Sequence, residues 1–353
     1  MPPASESAYN SRLDGLRALA VFAVLYTHLW NENSLAGDLG VRLFFVLSGY
    51  LITRMVIAAK TGGSTRLTNF YVRRALRLWP AYYALIAFCT ATNFGMFRSV
   101  ALWHALYLSN FLFALRGAYV PFYTAAWWSL AVEEQFYLVW PAIVMRVSHR
   151  AALVLCVLAI PAALAFRVVG HHNGWAEQAY SLIPASIDGL GAGAILALCE
   201  QRGWSWRANG AILLVWMVVM ACIVASGMEQ YAWLPTFEVV GLAGVVAVAI
   251  TGFGGAVDRI LANGVLVYLG RISYGIYLFH LFVWAILLRF FGFALFGQRG
   301  FLLFVICGGL TIIMASLSWF LVEIPFNRLK RHFPFPPPSG SGPVPLASAR
   351  AAY

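Results

Sequence analysis

The sequence predicts an all-α protein, a polytopic bundle of about ten transmembrane helices. Of its 353 residues, 61% are hydrophobic and only 10% are charged, whereas a soluble domain carries about 25% charged residues. Apolar runs recur along the whole chain and basic residues concentrate between them, as the positive-inside rule requires. The net charge of +11 therefore indicates membrane topology, and we expect a lipid bilayer as the partner, with no binding to nucleic acid.

Ten apolar runs have the length of a membrane span, which is about 17 to 25 residues. They cover residues 13–31, 40–58, 80–97, 129–146, 151–167, 181–199, 209–226, 236–254, 271–290 and 300–322. A shorter segment, residues 101–115, is predicted to lie in the membrane interface or to re-enter the membrane, because a further crossing would conflict with the charges of the loops.

Basic residues predict the orientation of these spans. The region around the loop after the second span carries no acid and several basic residues, namely Arg54, Lys60, Arg66, Arg73, Arg74 and Arg77. This loop is predicted to be cytoplasmic, and with it both termini, in the inner (plasma) membrane of a cell. We expect a cytoplasmic tail at 1–11, an integral membrane domain at 12–327 and a second cytoplasmic tail at 328–353, which is basic at first and then Pro/Gly/Ser-rich and disordered.

The first span contains three ionisable residues, Asp14, Arg17 and His28. Arg17 and His28 are eleven positions apart, almost three helical turns, and therefore share one face, with Asp14 close to it. Ionisable side chains in lipid cost about 2.5 to 3.5 kcal/mol or more each, so they usually face a bundle interior or a functional cavity. The structural alternative is an Asp14–Arg17 ion pair near the interface and one hydrogen-bonded histidine.

Small residues occupy the middle of the second span, where Ser48 precedes Gly49. Such residues commonly permit close packing between membrane helices. The alternative is that a ligand approaches the backbone at this position, with Ser48 as one of its contacts.

Three arginines, Arg73, Arg74 and Arg77, precede a span that is predicted to open at Pro80. Arg74 and Arg77 are one helical turn apart, and the planar guanidinium group matches phosphate oxygens. The cluster therefore predicts a phosphate site at the cytoplasmic boundary. The alternative is an ordinary positive-inside cluster that contacts lipid headgroups.

Two adjacent acids, Glu133 and Glu134, lie in the first two turns of the fourth span. Adjacent residues of a helix point about 100° apart, so only one acid shares a face with Tyr137, and Glu133 has that i, i+4 register. Its depth matches that of His28, which predicts a carboxylate–imidazole pair in which the acid orients a general base. The alternative for Glu133 is a hydrogen bond that only supports helix packing.

The span at 271–290 places Ser273, Tyr277, His280 and Trp284 on one face. His280 could assist chemistry or substrate binding, and a hydrogen-bonded core histidine is the alternative. Asp188, in the span at 181–199, is a further intramembrane acid. An acid inside the membrane indicates a functional site unless it has a structural partner. The sequence shows no partner for Asp188.

The chain contains, in this order, the stretches DGLRALAVFAVLYTH, LFFVLSGYLIT, FYVRRALRLWPAYY, WWSLAVEEQFYLVWP and ISYGIYLFH. Together they resemble acyltransferase family 3 of the membrane O-acyltransferases, which includes O-antigen and nodulation-factor O-acetylases. The resemblance covers residues 12–327. By that likeness the family's Arg and His of the first span fall on Arg17 and His28, its arginine pair on Arg74 and Arg77, and its acid on Glu133.

The resemblance implies that an acyl group, expected to be acetyl, passes from acyl-CoA to a hydroxyl of a glycan, glycolipid or glycosylated natural product. Acyl-CoA is then a co-substrate, and no bound cofactor is expected. In this interpretation Arg73, Arg74 and Arg77 hold the CoA phosphates. His28 acts as general base or accepts the acyl group itself, and Glu133 orients it.

Further residues are expected to position the substrates, namely Asp14, Arg17, Ser48, Tyr137, Tyr277 and His280. The five cysteines are scattered singly through apolar segments, so we expect no metal site. Two other classes of protein compete with an enzyme. A transporter or flippase would also bury charges in several helices, and an assembly protein would leave the histidine, arginine and glutamate motifs unexplained.

Overall fold

Helices account for all regular secondary structure in the part of the chain that the structure, a computed structural model, describes: residues 9–61, 67–175, 180–204, 210–226 and 232–335. The α-helices are α1 (Ser11–Leu29), α2 (Ala36–Thr61), α3 (Leu67–Thr92), α4 (Ala101–Ala105), α5 (Ser109–Arg116), α6 (Trp127–Arg146), α7 (His149–His172), α8 (Ile187–Gln201), α9 (Gly210–Ala225), α10 (Leu234–Thr251), α11 (Gly255–Leu261), α12 (Gly264–Arg271), α13 (Ser273–Phe291), α14 (Phe293–Phe296), α15 (Phe301–Ser318) and α16 (Ile324–Arg328). The predicted all-α class is confirmed.

Among the described residues, five helical segments are long and apolar enough to cross a membrane. They are Ala36–Lys60, His149–His172, Leu234–Thr251, Ser273–Phe291 and Phe301–His332. The count of ten spans and the orientation of the termini stay predictions. Most of the tail that is predicted to be disordered, residues 336–353, lies outside the described residues. Phe335, just before it, packs against Phe70 of α3 with 5.7 Å between the ring centroids.

Helix α2 lies at the centre of the bundle, in contact with α1, α6, α8 and α10. Its contact with α8 depends on two glycines. A Cβ atom at Gly49 would lie 2.0 Å from the carbonyl oxygen of Leu190, and one at Gly193 would lie 2.0 Å from that of Val46. Gly49 therefore serves close helix packing, one of the two roles open to this position.

We expect the substitution Gly49→Ala to lower the melting temperature of the protein, because the added methyl group forces α2 and α8 apart. Overpacking of this kind typically costs about 1 to 3 kcal/mol. Gly309→Ala is the matched control, since Gly309 is an exposed position of α15 with no atom within 4 Å of a Cβ. Thermal unfolding of both purified variants in detergent tests this, and equal melting temperatures for Gly49→Ala and wild type would contradict it.

The third helix differs from the predicted span at 80–97. Helix α3 begins at Leu67 and ends at Thr92, so Pro80 lies in its interior and the three arginines lie within the helix. An internal proline removes one backbone hydrogen bond. Residues buried on both sides of Pro80, among them Phe70 and Tyr82, keep the helix continuous through tertiary packing.

The segment 101–115 does not form one continuous helix. It contains α4 and the larger part of α5, and Tyr107 between them has a left-handed backbone with φ of 53°. Neither helix is long enough to cross a bilayer, in agreement with the prediction that this segment is not a span. Its polar residues His104 and Asn110 are fully buried.

Candidate active site

A cavity between α1, α2, α3, α6 and α13 contains about 620 Å³ of empty space, part of it open to the surroundings. Most of the residues that the sequence predicts for the site line it, namely Arg17, Ser48, Arg74, Arg77, Glu133, Tyr137 and Tyr277. These residues come from five helices, and the fold brings them together in one place.

Glu133 is held by two hydroxyl groups. The Ser48 hydroxyl and the Tyr137 hydroxyl each donate to it at 2.8 Å, and these two hydroxyl oxygens lie 2.7 Å from each other. Glu133 and Tyr137 are one turn apart on α6, as the predicted register requires. Ser48 thus faces the cavity from α2, whereas its neighbour Gly49 packs on α8.

Two arginines of α3 present their guanidinium groups to the cavity. The guanidinium carbon of Arg74 lies 3.8 Å from the centroid of the Tyr137 ring, and its buried Nε atom has no hydrogen-bond partner among the residues that the structure describes. Within the described ranges, no carboxylate lies within 4 Å of the side-chain nitrogens of Arg74 or Arg77. Guanidinium groups without a neutralising partner favour the binding of an anion.

Arg17 and Asp14 form an ion pair in α1, with Arg17 Nη1 at 2.9 Å from Asp14 Oδ1. This is the pair that the sequence left open as a structural alternative. Asp14 also accepts a hydrogen bond from the hydroxyl of Tyr9 and does not line the cavity. Arg17 does line the cavity. Its guanidinium group therefore adds positive charge there while it is paired with Asp14 of the same helix.

Arg73 does not line the cavity. Its Nη1 atom donates to the carbonyl oxygens of Lys330, at 3.0 Å, and Phe333, at 3.3 Å. Adjacent residues of a helix point about 100° apart, which separates Arg73 from its neighbour Arg74. Of the three arginines of the predicted cluster, Arg74 and Arg77 therefore line the cavity and Arg73 does not.

His28 is paired with His280 of α13. His28 Nδ1 lies 2.8 Å from His280 Nε2, and the two rings are nearly parallel, with 5.0 Å between their centroids. The sequence predicts instead a pair of His28 with Glu133. In the structure His28 faces α13, whereas Glu133 faces α2, because an equal depth in the membrane does not determine which helices face each other.

The hydrogen bonds of this pair determine its tautomers. His280 Nδ1 lies 2.7 Å from the carbonyl oxygen of Tyr277, which can only accept, so this nitrogen carries the proton. In a neutral imidazole the other nitrogen, His280 Nε2, is then an acceptor. His28 therefore donates from Nδ1, and its Nε2 atom carries the free lone pair that a base or nucleophile needs.

Tyr277 connects the histidine pair to the cavity. Its side chain lines the cavity, and its ring centroid lies 5.7 Å from that of His280. The Tyr277 hydroxyl lies 2.5 Å from the Ser129 hydroxyl and donates to the carbonyl oxygen of Ala126 at 3.1 Å. Tyr277 thus lines the polar cavity and also lies beside the histidine pair.

A second group of buried charges lies near the site. Arg167 Nη2 is 2.7 Å from Asp188 Oδ2, and Arg42 Nε is 2.9 Å from Glu238 Oε2. All four side chains are more than nine-tenths buried. Of these four residues only Asp188 was predicted from the sequence. Its partner and the second pair were not, although all of them lie inside predicted spans, where ionisable residues indicate a functional or paired position.

The fold and this cavity define a helical protein of the membrane type with an internal cavity lined by three arginines. A family model described as an acyltransferase domain matches residues 10–320. The chain therefore belongs to the acyltransferase family that its five motifs resemble, and the resemblance is confirmed.

Several curated proteins are similar to the chain. They include the peptidoglycan O-acetyltransferase OatA of Listeria monocytogenes, 28% identical over 77% of this chain and 49% of the relative. A putative O-acetyltransferase of Staphylococcus aureus is 26% identical over 91% of this chain and 58% of the relative. The putative peptidoglycan O-acetyltransferase YrhL of Bacillus subtilis is 28% identical over 90% of this chain and 55% of the relative. The chain thus spans about half the length of these relatives. No solved structure gives a significant match.

Proposed function

We propose that this protein is an O-acetyltransferase of the inner (plasma) membrane that moves the acetyl group of acetyl-CoA to a hydroxyl of a glycan or glycosylated acceptor. One observation carries the proposal: Tyr277 lines the cavity that holds the guanidinium groups of Arg74 and Arg77, and its ring lies 5.7 Å from that of His280, the partner of His28. The names of the relatives, which are O-acetyltransferases and in part peptidoglycan O-acetyltransferases, support a glycan as acceptor.

The donor binds at the arginine end of the cavity. Arg74 and Arg77 bind phosphate groups of CoA, since guanidinium groups stay charged and form paired hydrogen bonds to phosphate oxygens. Arg17 adds a third positive group at the same cavity. In the predicted topology this end faces the cytoplasm, and the pantetheine arm extends from it toward Tyr277. Arg73 is not part of this donor site, because its guanidinium group is bonded to backbone carbonyls outside the cavity.

His28 supplies the base. Its Nε2 atom removes the proton of the acceptor hydroxyl while that oxygen attacks the thioester carbonyl. The carbon–sulfur bond then breaks, and the CoA thiolate takes the proton from His28 to leave as the thiol. In a second route, Nε2 itself attacks the thioester carbonyl, and the carbon–sulfur bond breaks to release the CoA thiolate. The acceptor hydroxyl then displaces the acetyl group from the imidazole, and its proton passes to the thiolate, which leaves as the thiol. Both routes use the same nitrogen and give the same products.

Glu133 has a positioning role in this proposal, in place of the predicted role beside His28. It accepts from Tyr137, whose ring in turn lies against the guanidinium group of Arg74 at 3.8 Å. The hydrogen bond to Glu133 fixes the Tyr137 ring, and the ring in turn holds the guanidinium group of Arg74 by a cation–π contact. His280 takes over the role of orienting His28.

We expect His280→Phe to lower kcat by about 10²-fold or more, the scale of a misplaced catalytic group. The substitution removes the acceptor that keeps the proton on His28 Nδ1, so the other tautomer, with Nε2 protonated, becomes populated. His280→Gln retains a side-chain oxygen that can accept from His28, and we expect it to recover part of kcat. The KM for acetyl-CoA should be unchanged in both variants. Equal kcat values for His280→Phe and His280→Gln would contradict a positioning role.

The proposed function is tested by incubating purified protein in lipid vesicles with radiolabelled acetyl-CoA and envelope glycans of the host. Covalent label on the glycan supports the enzyme. Uptake of label into the vesicles without covalent transfer would instead support a transporter, the second class considered from the sequence.

A further inference from the structure

We infer that Arg299, in the loop between α14 and α15, is a positioning residue for the His28–His280 pair. The inference rests on the proposed function and deepens it, because it adds to the pair a third side chain that holds the base in place. Arg299 lies outside the five helices that form the cavity and does not line the cavity itself. Its side chain interacts instead with both of the helices that carry the paired histidines.

His28 lies at the end of α1, the part of a helix that its own hydrogen bonds hold least. The last four carbonyl groups of an α-helix have no partner within the helix, and α1 ends at Leu29, one residue after His28. Neither of the next two residues, Trp30 and Asn31, has the left-handed backbone that often closes a helix. The carbonyl groups of His28 and Leu29 therefore need partners from elsewhere in the chain.

The loop before α15 supplies these partners. Arg299 Nε donates to the carbonyl oxygen of His28 at 2.9 Å, and the backbone N–H of Gly300 donates to that of Leu29 at 3.0 Å. The guanidinium group of Arg299 also forms an ion pair with Glu32, in the turn after α1. The end of α1 that carries the base is thus fixed by a side chain 271 positions further along the chain.

The same loop is fixed to α13, the helix of His280. The guanidinium carbon of Arg299 lies 5.5 Å from the centroid of the Trp284 ring, which is a cation–π contact. Trp284 follows His280 by about one turn of α13, and its indole N–H donates to the carbonyl oxygen of Phe296 at 2.8 Å. Arg299 therefore connects the helix of His28 with the helix of His280 close to the point where the two imidazoles meet.

The geometry of the pair depends on this connection. His28 Nδ1 and His280 Nε2 come from separate helices and are 2.8 Å apart, so a shift of about 1 Å of either helix would break the hydrogen bond between them. A displacement of that size in a catalytic group can lower the rate about 10²-fold. Arg299 acts through the backbone of His28 and through Trp284, so it positions the base and takes no part in the bond changes.

The test uses variants of the full-length protein in lipid vesicles, with radiolabelled acetyl-CoA and envelope glycans of the host. We expect Arg299→Met to lower kcat about tenfold, because methionine has no donor for the His28 carbonyl. The KM for acetyl-CoA should be unchanged, since Arg299 does not line the donor cavity. A wild-type kcat in Arg299→Met overturns the inference.

Arg299→Gln tests the hydrogen bond itself. The side-chain nitrogen of glutamine is as many bonds from Cα as arginine Nε, so it can donate to the same carbonyl oxygen. Both variants lose the ion pair with Glu32 and the cation beside Trp284, and only Arg299→Gln keeps the donor. We therefore expect Arg299→Gln to recover part of kcat, and equal kcat values for the two variants overturn the role of this hydrogen bond.

Arg98→Met is the matched control. Arg98 makes the same kind of contact at the end of α3, where its Nε and Nη2 atoms donate to the carbonyl oxygens of Thr90 and Ala91, each at 2.8 Å. Arg98 does not line the cavity. Loss of either arginine should lower the melting temperature by a similar small amount, whereas kcat should fall only in Arg299→Met. An equal fall of kcat in Arg98→Met overturns the inference, because it would show a general effect of stability.

The coupling between Arg299 and His280 is a readout that a merely structural role would not change. If Arg299 acts through the histidine pair, His280→Phe already removes the contact that Arg299 maintains. The double variant should then lose less of kcat than the product of the two single effects. A loss equal to that product overturns the inference. If Arg299→Met does not fold, the coupling is measured with Arg299→Gln.

The outcomes separate this inference from the proposed function. If wild-type protein labels the glycans and Arg299→Met labels them at the same rate, only the role of Arg299 is overturned. If wild-type protein labels no glycan, the proposed function is overturned, and the inference with it.

Discussion

Replacement of His28 by alanine is expected to reduce acetyl transfer to below about 1% of the wild-type rate, because base catalysis contributes about 10² to 10⁴-fold. The variant loses the nitrogen on which both chemical routes depend. The Kd for CoA should stay at the wild-type value, since His28 does not line the donor cavity. Radiolabel transfer and calorimetric titration with CoA measure the two quantities separately.

His149→Ala is the control for this substitution. His149 lies at the start of α7, where its Nδ1 atom is 3.1 Å from Gln201 Oε1, and it does not line the cavity, so its loss should leave transfer unchanged. If purified His28→Ala acylates the acceptor at the wild-type rate, the proposed chemistry is wrong. To distinguish the two routes, wild-type protein is incubated with acetyl-CoA in the absence of acceptor, and the reaction is then quenched. Mass spectrometry detects an acetyl group on His28 only if the route through an acetylated imidazole operates.

The second large effect is expected on the affinity for the donor, measured as the Kd for CoA, when an arginine of the cavity is replaced. Arg74→Ala should weaken CoA binding about ten- to a hundredfold, because a hydrogen bond to a charged group contributes about 1.5 to 3 kcal/mol. The double variant Arg74→Ala/Arg77→Ala should bind CoA more weakly than either single variant, since both guanidinium groups line the same cavity. Calorimetric titration of purified protein with CoA measures these affinities.

Arg73→Ala provides the matched control, with the same residue type on the same helix. The Arg73 guanidinium group is bonded to the carbonyl oxygens of Lys330 and Phe333, so its loss should disturb the segment after α16 and leave the Kd for CoA nearly unchanged. A larger loss of CoA affinity in Arg73→Ala than in Arg74→Ala would contradict the donor site proposed here. It would favour the cluster of three arginines that the sequence predicts.

Two segments, the helix that contains Pro80 and the segment 101–115, show where local sequence signals predict the bounds of a helix and where they fail. Proline at position 80 indicated the start of a span, but the helix begins at Leu67, because buried side chains on both sides of the proline stabilise it. The segment 101–115 was predicted not to span the membrane, and it is divided at Tyr107. Local signals such as proline are thus overridden where tertiary packing is extensive.

The buried charges near the site that were not predicted have a common explanation. Arg42, Arg167 and Glu238 are ionisable residues inside apolar runs, and this property alone indicates a functional or paired position. The tertiary structure shows that these residues form two buried ion pairs, Arg42 with Glu238 and Arg167 with Asp188. The partners are far apart in the sequence, so no local pattern indicates that they meet.

Composition, apolar run length and five ordered motifs determined by themselves that the chain is an all-helical protein of the membrane type and a member of an acyltransferase family. Only the tertiary structure decided that His28 pairs with His280, that Glu133 accepts a hydrogen bond from Ser48, and that Arg73 lies outside the cavity that its neighbour Arg74 lines. The reason is that helical periodicity determines which face of a helix a side chain occupies, whereas the neighbour that this face meets depends on how all the helices pack.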